Sequence, residues 1–150
     1  MSKFTLLLFS LVLAAWGCAS RTPARVGPPA PDAAALTAVV VTPLSSPGPD
    51  RVIRDPARLR SLAASFAFAP TGWSPGDTRG PAPAYRVVFR GRTGSSTYFL
   101  GAFPPAVSMP LYIYSTWWVS PATGDGRPDP ARRKGLADTV RFRLFHDLGL

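Results

Sequence analysis

The hydrophobic positions divide this chain of 150 residues into three parts. The first is an apolar run from Phe4 to Ala15, which only two hydroxyl side chains interrupt. The second, residues 19–35, has four prolines and almost no large apolar side chain, so it cannot build a core. Periodic apolar patterns begin at Leu36, and the last ~115 residues suit one small domain.

The domain begins with a strand pattern followed by a helix pattern. Residues 36–42 are apolar and rich in β-branched side chains, which predicts a buried strand, and Val52-Ile53 either extends this strand or pairs back onto it. Asp55 can cap a helix and Pro56 suits its first position. The helix should end before Pro70. Its apolar residues recur at the spacing of one buried face, at Leu59, Leu62, Ala63 and Phe66.

An antiparallel meander follows the helix. Residues 85–103 alternate apolar and polar side chains on both sides of the turn Gly91-Arg92-Thr93-Gly94, which predicts a β-hairpin. Residues 111–119 are rich in aromatic and β-branched side chains, which strands prefer. They form the predicted third strand of the meander.

Residues 130–145 fit two structures. Leu136, Val140 and Leu144 have the spacing of a helix face, whereas Val140, Phe142 and Leu144 also alternate with arginines as in a strand. The tetrapeptide that starts at Asp129 repeats the Asp-Pro-Ala-Arg that starts at Asp55, and we interpret both as capping signals. We therefore favour a helix.

The predicted order is β-α-β-β-β-α. It indicates a single α+β domain over residues 36–150, an antiparallel meander with one or two helices packed on one face. Cys18 is the only cysteine and precedes this domain, so the core must depend on packing alone.

Residues 1–18 have the three parts of a secretory signal: a positive start, a short apolar run and small residues at its exit. The run of twelve residues is shorter than the ~20 that a spanning helix needs. The exit resembles a bacterial lipobox, on Leu13, Ala14, Ala15, Gly17 and Cys18. Trp16 departs from that pattern, in which the residue two before the cysteine is normally small. The chain as a whole is similar to small bacterial lipoproteins, a resemblance that implies no particular activity.

The lipobox resemblance implies that Cys18 carries fatty acyl chains and becomes the new N-terminus. Residues 19–35 would then be a tether, extended at ~3.1 Å per residue and able to reach about 50 Å. In a host with two membranes, Ala19 rather than Asp after the cysteine implies transfer to the outer membrane, on its periplasmic side. In other hosts the protein would sit on the outside of the cell membrane. The alternative is ordinary cleavage before Cys18, which gives a soluble periplasmic protein without lipid.

The charge of the chain predicts anionic partners. The formal net charge is +9, and loss of Lys3 with the signal leaves +8 (16 basic minus 8 acidic residues). Such a charge favours lipid headgroups, anionic glycans or an envelope protein of opposite charge. Export argues against nucleic acid.

The sequence offers little material for catalysis. It has one histidine, no glutamate and single, scattered aspartates, so we expect no metal and no cofactor. A Ser-His-Asp site would need His146, which stands beside Asp147, and no Gly-x-Ser-x-Gly turn is present. Asp55 and Asp129 are explained as caps. These residues favour a protein that is not an enzyme.

One candidate binding face comes from the third strand of the meander. Alternation places Trp117 and Val119 toward the helices, and Tyr112, Tyr114 and Trp118 on the opposite face. Arg86 and Arg90 of the hairpin could join these aromatics, and aromatic rings beside arginine suit a sugar, an anionic glycan or a protein. The competing interpretation is that a second layer covers this face and makes it core.

The functional hypothesis is a lipid-anchored binding or interaction module of the cell envelope that performs no chemistry. Two alternatives stay open. One is a hydrolase of envelope polymers, which a pocket joining His146 to a serine and an aspartate would favour. The other is the soluble periplasmic protein without lipid.

Overall fold

The computed structural model describes residues 27–73, 82–102 and 117–150. Within these ranges six strands form one antiparallel sheet, in the order β2-β1-β3-β4-β5-β6, and two helices accompany it. The elements are β1 Leu36–Pro43, β2 Arg51–Ile53, α1 Pro56–Ser65, β3 Tyr85–Gly91, β4 Ser95–Ala102, β5 Trp117–Pro121, β6 Lys134–Gly135 and α2 Asp138–Leu148. The predicted α+β class, with an antiparallel sheet and helices on one face, is confirmed.

Strand β1 has neighbours on both edges and is buried on both faces, which explains its uninterrupted apolar sequence. Val40 lies opposite Val52 of β2 and Val88 of β3. Val52 and Ile53 therefore pair back onto the first strand and do not extend it. The hairpin of β3 and β4 also follows the prediction, closed by a bond from Gly91 N to Gly94 O of 2.8 Å.

Helix α1 begins where its sequence predicts. Pro56 opens it, and the Asp55 carboxylate accepts a hydrogen bond of 2.8 Å from the Arg58 backbone N–H. This bond satisfies one of the donors that a helix start leaves without an intrahelical partner. Leu59, Leu62 and Ala63 are buried along one face, and Phe66 ends the helix.

The C-terminal segment is a helix, as favoured, but it starts later than the second Asp-Pro signal. The Asp129 carboxylate accepts from Ala131 N at 2.8 Å and from Arg132 Nε at 2.6 Å, so it holds a turn and does not cap a helix. Strand β6 intervenes, and α2 starts after Ala137, which gives no side-chain cap. The role predicted for Asp129 as a helix cap is therefore wrong.

The end of α2 is fixed by its backbone. Gly149 has a φ of 72°, its N–H donates to His146 O, and Leu150 N–H donates to Phe145 O. This pair of bonds satisfies two of the last carbonyl groups of the helix, and glycine adopts the left-handed conformation at no steric cost.

One hydrophobic core lies between the two helices and one face of the sheet. Phe66 is at its centre, with its ring centroid 4.7 Å from that of Phe89 and 4.8 Å from that of Tyr98. The other buried members are Val39, Val41, Ile53, Leu59, Leu62, Trp73, Val87, Leu100, Val119, Leu136, Leu144 and Leu148.

Residues 27–35, the second half of the predicted tether, lie against the domain. Gly27 N donates to Pro70 O at 3.0 Å, the Tyr98 hydroxyl donates to Pro29 O at 3.2 Å, and Pro31 is buried. This half of the predicted tether is therefore part of the folded domain.

The core predicts the effect of truncating its helix. Leu62 is fully buried, so Leu62→Ala should lower the free energy of unfolding by ~2–5 kcal/mol through lost apolar burial and a cavity. Leu44→Ala is the matched control, because Leu44 is 44% exposed and its truncation leaves no cavity. Urea unfolding of both variants checks this. Equal losses would contradict the assignment of Leu62 to the core.

Candidate functional site

The predicted aromatic face does not present Trp118 to solvent. Strand β5 alternates as expected: Val119 joins the core under the helices, and Trp118 points to the opposite face of the sheet. Trp118 is nevertheless 0% exposed, so it cannot contact a ligand on that face, and this part of the predicted site is wrong. Tyr112 and Tyr114 lie outside the described residues.

Two features bury Trp118. Gly101 is its partner on β4, and the indole lies across this glycine in the space that a side chain would occupy. The guanidinium of Arg133 covers the ring at 4.3 Å from its centroid. The returning chain is held in place by bonds from Ser120 Oγ to Asp129 O and from Leu136 N to Trp117 O. A glycine inside a predicted strand was the sequence signal for this close approach.

Arg86 and Arg90 are exposed on the same face of the sheet as Trp118, but two strands away from it. They flank the half-buried Val88 on β3, opposite Thr42 and Ala38 of β1. The structure therefore keeps the two predicted guanidinium groups accessible and separates them from Trp118.

A serine, an aspartate and the single histidine do meet, in the wrong order for nucleophilic catalysis. Ser61 Oγ donates to Asp147 Oδ2 at 2.5 Å, and His146 Nδ1 lies 3.3 Å from Asp147 Oδ1. In a catalytic triad the imidazole stands between the nucleophile and the carboxylate. Here the carboxylate stands between them, and the His146 side chain is 89% exposed. The cluster instead joins the helices, because Arg58 also donates to Asp147 O at 2.6 Å.

The described ranges contain no group of three or more His, Cys, Asp or Glu that could hold a metal ion. No helix in those ranges combines the length and the apolar character that crossing a membrane requires.

A hollow of about 520 Å³ opens beside the N-terminal segment, between Pro29, Tyr98, Thr123 and Arg132. Burial raises the pKa of the Tyr98 phenol above its ordinary value of 10.0, and the nearby positive charge of Arg132 partly offsets this rise. The phenol is thus a neutral hydrogen-bond donor to Pro29 O, and it secures the segment that borders the hollow.

A second concavity, the helix groove, lies between the end of α1 and the start of α2, with a volume of about 470 Å³. Its lining is mostly apolar, and Lys134 and Arg143 supply positive charge. Lys134 Nζ donates to Ala69 O and Thr71 O, and Arg143 Nη2 donates to Ser61 Oγ at 3.3 Å. Sequence analysis missed this groove, because it depends on how two distant helices pack. The apolar side chains that line it include Ala64, Ala67, Phe68 and Val140.

Comparison with protein-family models, with curated proteins and with solved structures found no match to this chain. The function must therefore be argued from the residues themselves.

The packing of Trp118 predicts two different outcomes for the glycines beside it. Gly101→Ala places a methyl group inside the indole and should cost ~1–3 kcal/mol of stability by overpacking. Gly135, the partner of Trp118 on β6, has no atom near the position of an added Cβ, so Gly135→Ala is the matched control. Thermal unfolding of both variants measures the difference. If Gly101→Ala unfolds at the same temperature as the wild type, the indole does not lie against Gly101.

The raised pKa of Tyr98 predicts alkaline sensitivity. Folding favours the neutral phenol, so the stability that this group contributes is complete below pH 10 and is lost as pH rises through the higher folded pKa. Tyr98→Phe cannot ionise. We expect a loss of ~0.5–1.5 kcal/mol at neutral pH and a flatter alkaline decline, measured by urea unfolding against pH. Parallel profiles for both proteins would contradict this role.

Proposed function

We propose that this chain is a lipid-anchored protein of the cell envelope whose domain binds an anionic component there and performs no chemistry. The observation that carries the anchor is the apolar run that ends in Gly17-Cys18 behind a positive start. In a host with two membranes the protein would lie on the periplasmic side of the outer membrane. In other hosts it would lie on the exterior of the cell membrane.

The cysteine content supports the anchor. Cys18 is the sole cysteine, and acylation would consume a thiol that is otherwise open to oxidation after export. The described core is held together by apolar burial between the helices and the sheet, so it needs no disulfide. A role for Cys18 outside the fold is consistent with both facts.

The charge of the chain and the order in which Ser61, Asp147 and His146 meet support binding. The mature chain would carry +8, and Arg60, Arg86, Arg90 and Arg143 are all exposed. The hydrolase alternative needs His146 beside the serine nucleophile, whereas Asp147 stands between Ser61 and His146. The partner classes that match this charge are lipid headgroups, anionic glycans and acidic envelope proteins, and export argues against nucleic acid.

The anchor is tested at its own residue. Cys18→Ser should abolish incorporation of a radiolabelled fatty acid and move the protein from the membrane fraction to the soluble fraction. Ser20→Ala is the matched control, because it changes one hydroxyl two residues away and leaves the cysteine. Wild-type protein without label, together with a membrane-bound Cys18→Ser variant, would disprove the anchor. Mature protein that begins before Cys18 and lacks acyl mass would establish the soluble alternative.

A further inference from the structure

The outer side of α2 exposes a large apolar ring in a basic setting. Phe142 is 66% exposed, the highest exposure of any large hydrophobic side chain among the described residues. The guanidinium of Arg141 stacks on the ring, 4.5 Å from its centroid, and Arg143 follows it. Exposed phenylalanine flanked by arginine is typical of helices that lie at a membrane surface.

The helix groove borders this surface, because Phe142 follows Thr139 of the groove lining at the i, i+3 spacing of helix neighbours. On α1 the exposed Arg60 stands one turn before Ala64 of the groove lining, at the i, i+4 spacing of one helix face, and Ala67 lines the groove just after the helix ends. Thr139 and Arg143 form the corresponding edge on α2. We call Arg60, Ala64, Ala67, Phe142, Arg143 and Lys134 together the helix face.

The carboxylates of the two helices are occupied by internal contacts. Asp55 caps α1, Asp138 pairs with Arg141 at 3.4 Å, and Asp147 accepts from Ser61. The groove itself is lined by two cations and, in the part of the chain that the structure describes, by no carboxylate. The helix face therefore presents net positive charge around an apolar centre.

The first residues that the structure describes lie beside one end of the helix groove. Gly27 bonds to Pro70, next to Ala69 of the groove, and Lys134 holds Ala69 O and Thr71 O. Eight residues lie between Cys18 and Gly27, and the nine steps along the chain can span at most about 30 Å at ~3.3–3.6 Å per residue. A lipid on Cys18 thus keeps this end of the helix groove close to the bilayer.

From these observations we infer that the helix face docks on the headgroups of anionic phospholipid in the membrane that carries the anchor. Arg60, Arg143 and Lys134 would contact phosphate groups, and Phe142 would enter the boundary between headgroups and acyl chains. This inference rests on the proposed lipid anchor for its orientation, but its chemistry can be tested without the lipid.

The test uses residues 18–150 with Cys18→Ser, so that no acyl chain contributes. Flotation with vesicles of phosphatidylcholine alone, and with added phosphatidylglycerol, measures partitioning. We expect binding only with phosphatidylglycerol, and its loss between 0.1 M and 1 M salt, where the Debye length falls from ~10 Å to ~3 Å. Fatty-acid labelling of the wild type separately reports the anchor, so the failure of one proposal is distinguishable from that of the other.

Paired variants locate the docking surface. Arg60→Gln with Arg143→Gln should lower partitioning on the order of thirtyfold, because each arginine near an anionic surface contributes ~1 kcal/mol and ~1.4 kcal/mol is a factor of ten. Arg86→Gln with Arg90→Gln removes the same charge from the opposite side of the sheet and should have a much smaller effect. Phe142→Ser should reduce binding while the melting temperature stays unchanged, because this side chain is exposed.

Three outcomes would overturn the inference. The first is no binding to phosphatidylglycerol vesicles at 0.1 M salt. The second is an equal loss from both arginine pairs, which indicates a response to total charge alone. The third is a dominant effect of Arg86 and Arg90, which assigns anion binding to the sheet face.

Discussion

The fold depends on the packing of one aromatic side chain from the first helix against the sheet. Phe66 ends α1 and is 1% exposed, and its ring meets Phe68, Phe89 and Tyr98 with centroid distances of 5.5, 4.7 and 4.8 Å. These contacts bring α1 onto β3 and β4, and α2 then packs beside α1 through Leu144 and Leu148. Aromatic pairs of this kind add ~0.5–1.5 kcal/mol each beyond their area, in a domain that has no disulfide.

On the opposite face of the sheet the largest buried side chain is the indole of Trp118, and Phe99 and Val40 are buried there as well. Burying an indole of ~150–250 Å² contributes about 4–6 kcal/mol at ~25 cal/mol per Å². Trp118 Nε1 has no hydrogen-bond partner among the described residues, which costs ~1–3 kcal/mol. The area term is larger, and the stacked Arg133 adds a favourable cation–π contact. The net free energy therefore favours burial of the indole over its exposure.

What could be predicted from the sequence is what local rules determine. Asp55, Pro56 and the apolar spacing that follows lie within one helix, and the β3–β4 hairpin lies within one alternating segment, so both were predicted correctly. For Trp118 the sequence left exposure and burial open, because its burial requires Gly101 across the sheet and Arg133 from a later loop. Asp129 was wrongly predicted to cap a helix, because here the same tetrapeptide forms a turn in which Arg132 donates to the second carboxylate oxygen of Asp129. The helix groove and the contacts of residues 27–35 depend on tertiary packing and have no local signature.

These contacts of the N-terminal segment also change what an anchor would do. A fully free tether of residues 19–35 would let the domain present any face to the bilayer. Gly27 and Pro29 are bonded to the domain, and Gly27 lies beside the groove, so the described half of the tether is not free. The anchor would already hold the domain at a high effective concentration near the surface, so little further affinity is needed to select an orientation. Two or three arginines at ~1 kcal/mol each are enough to favour one face by tenfold or more.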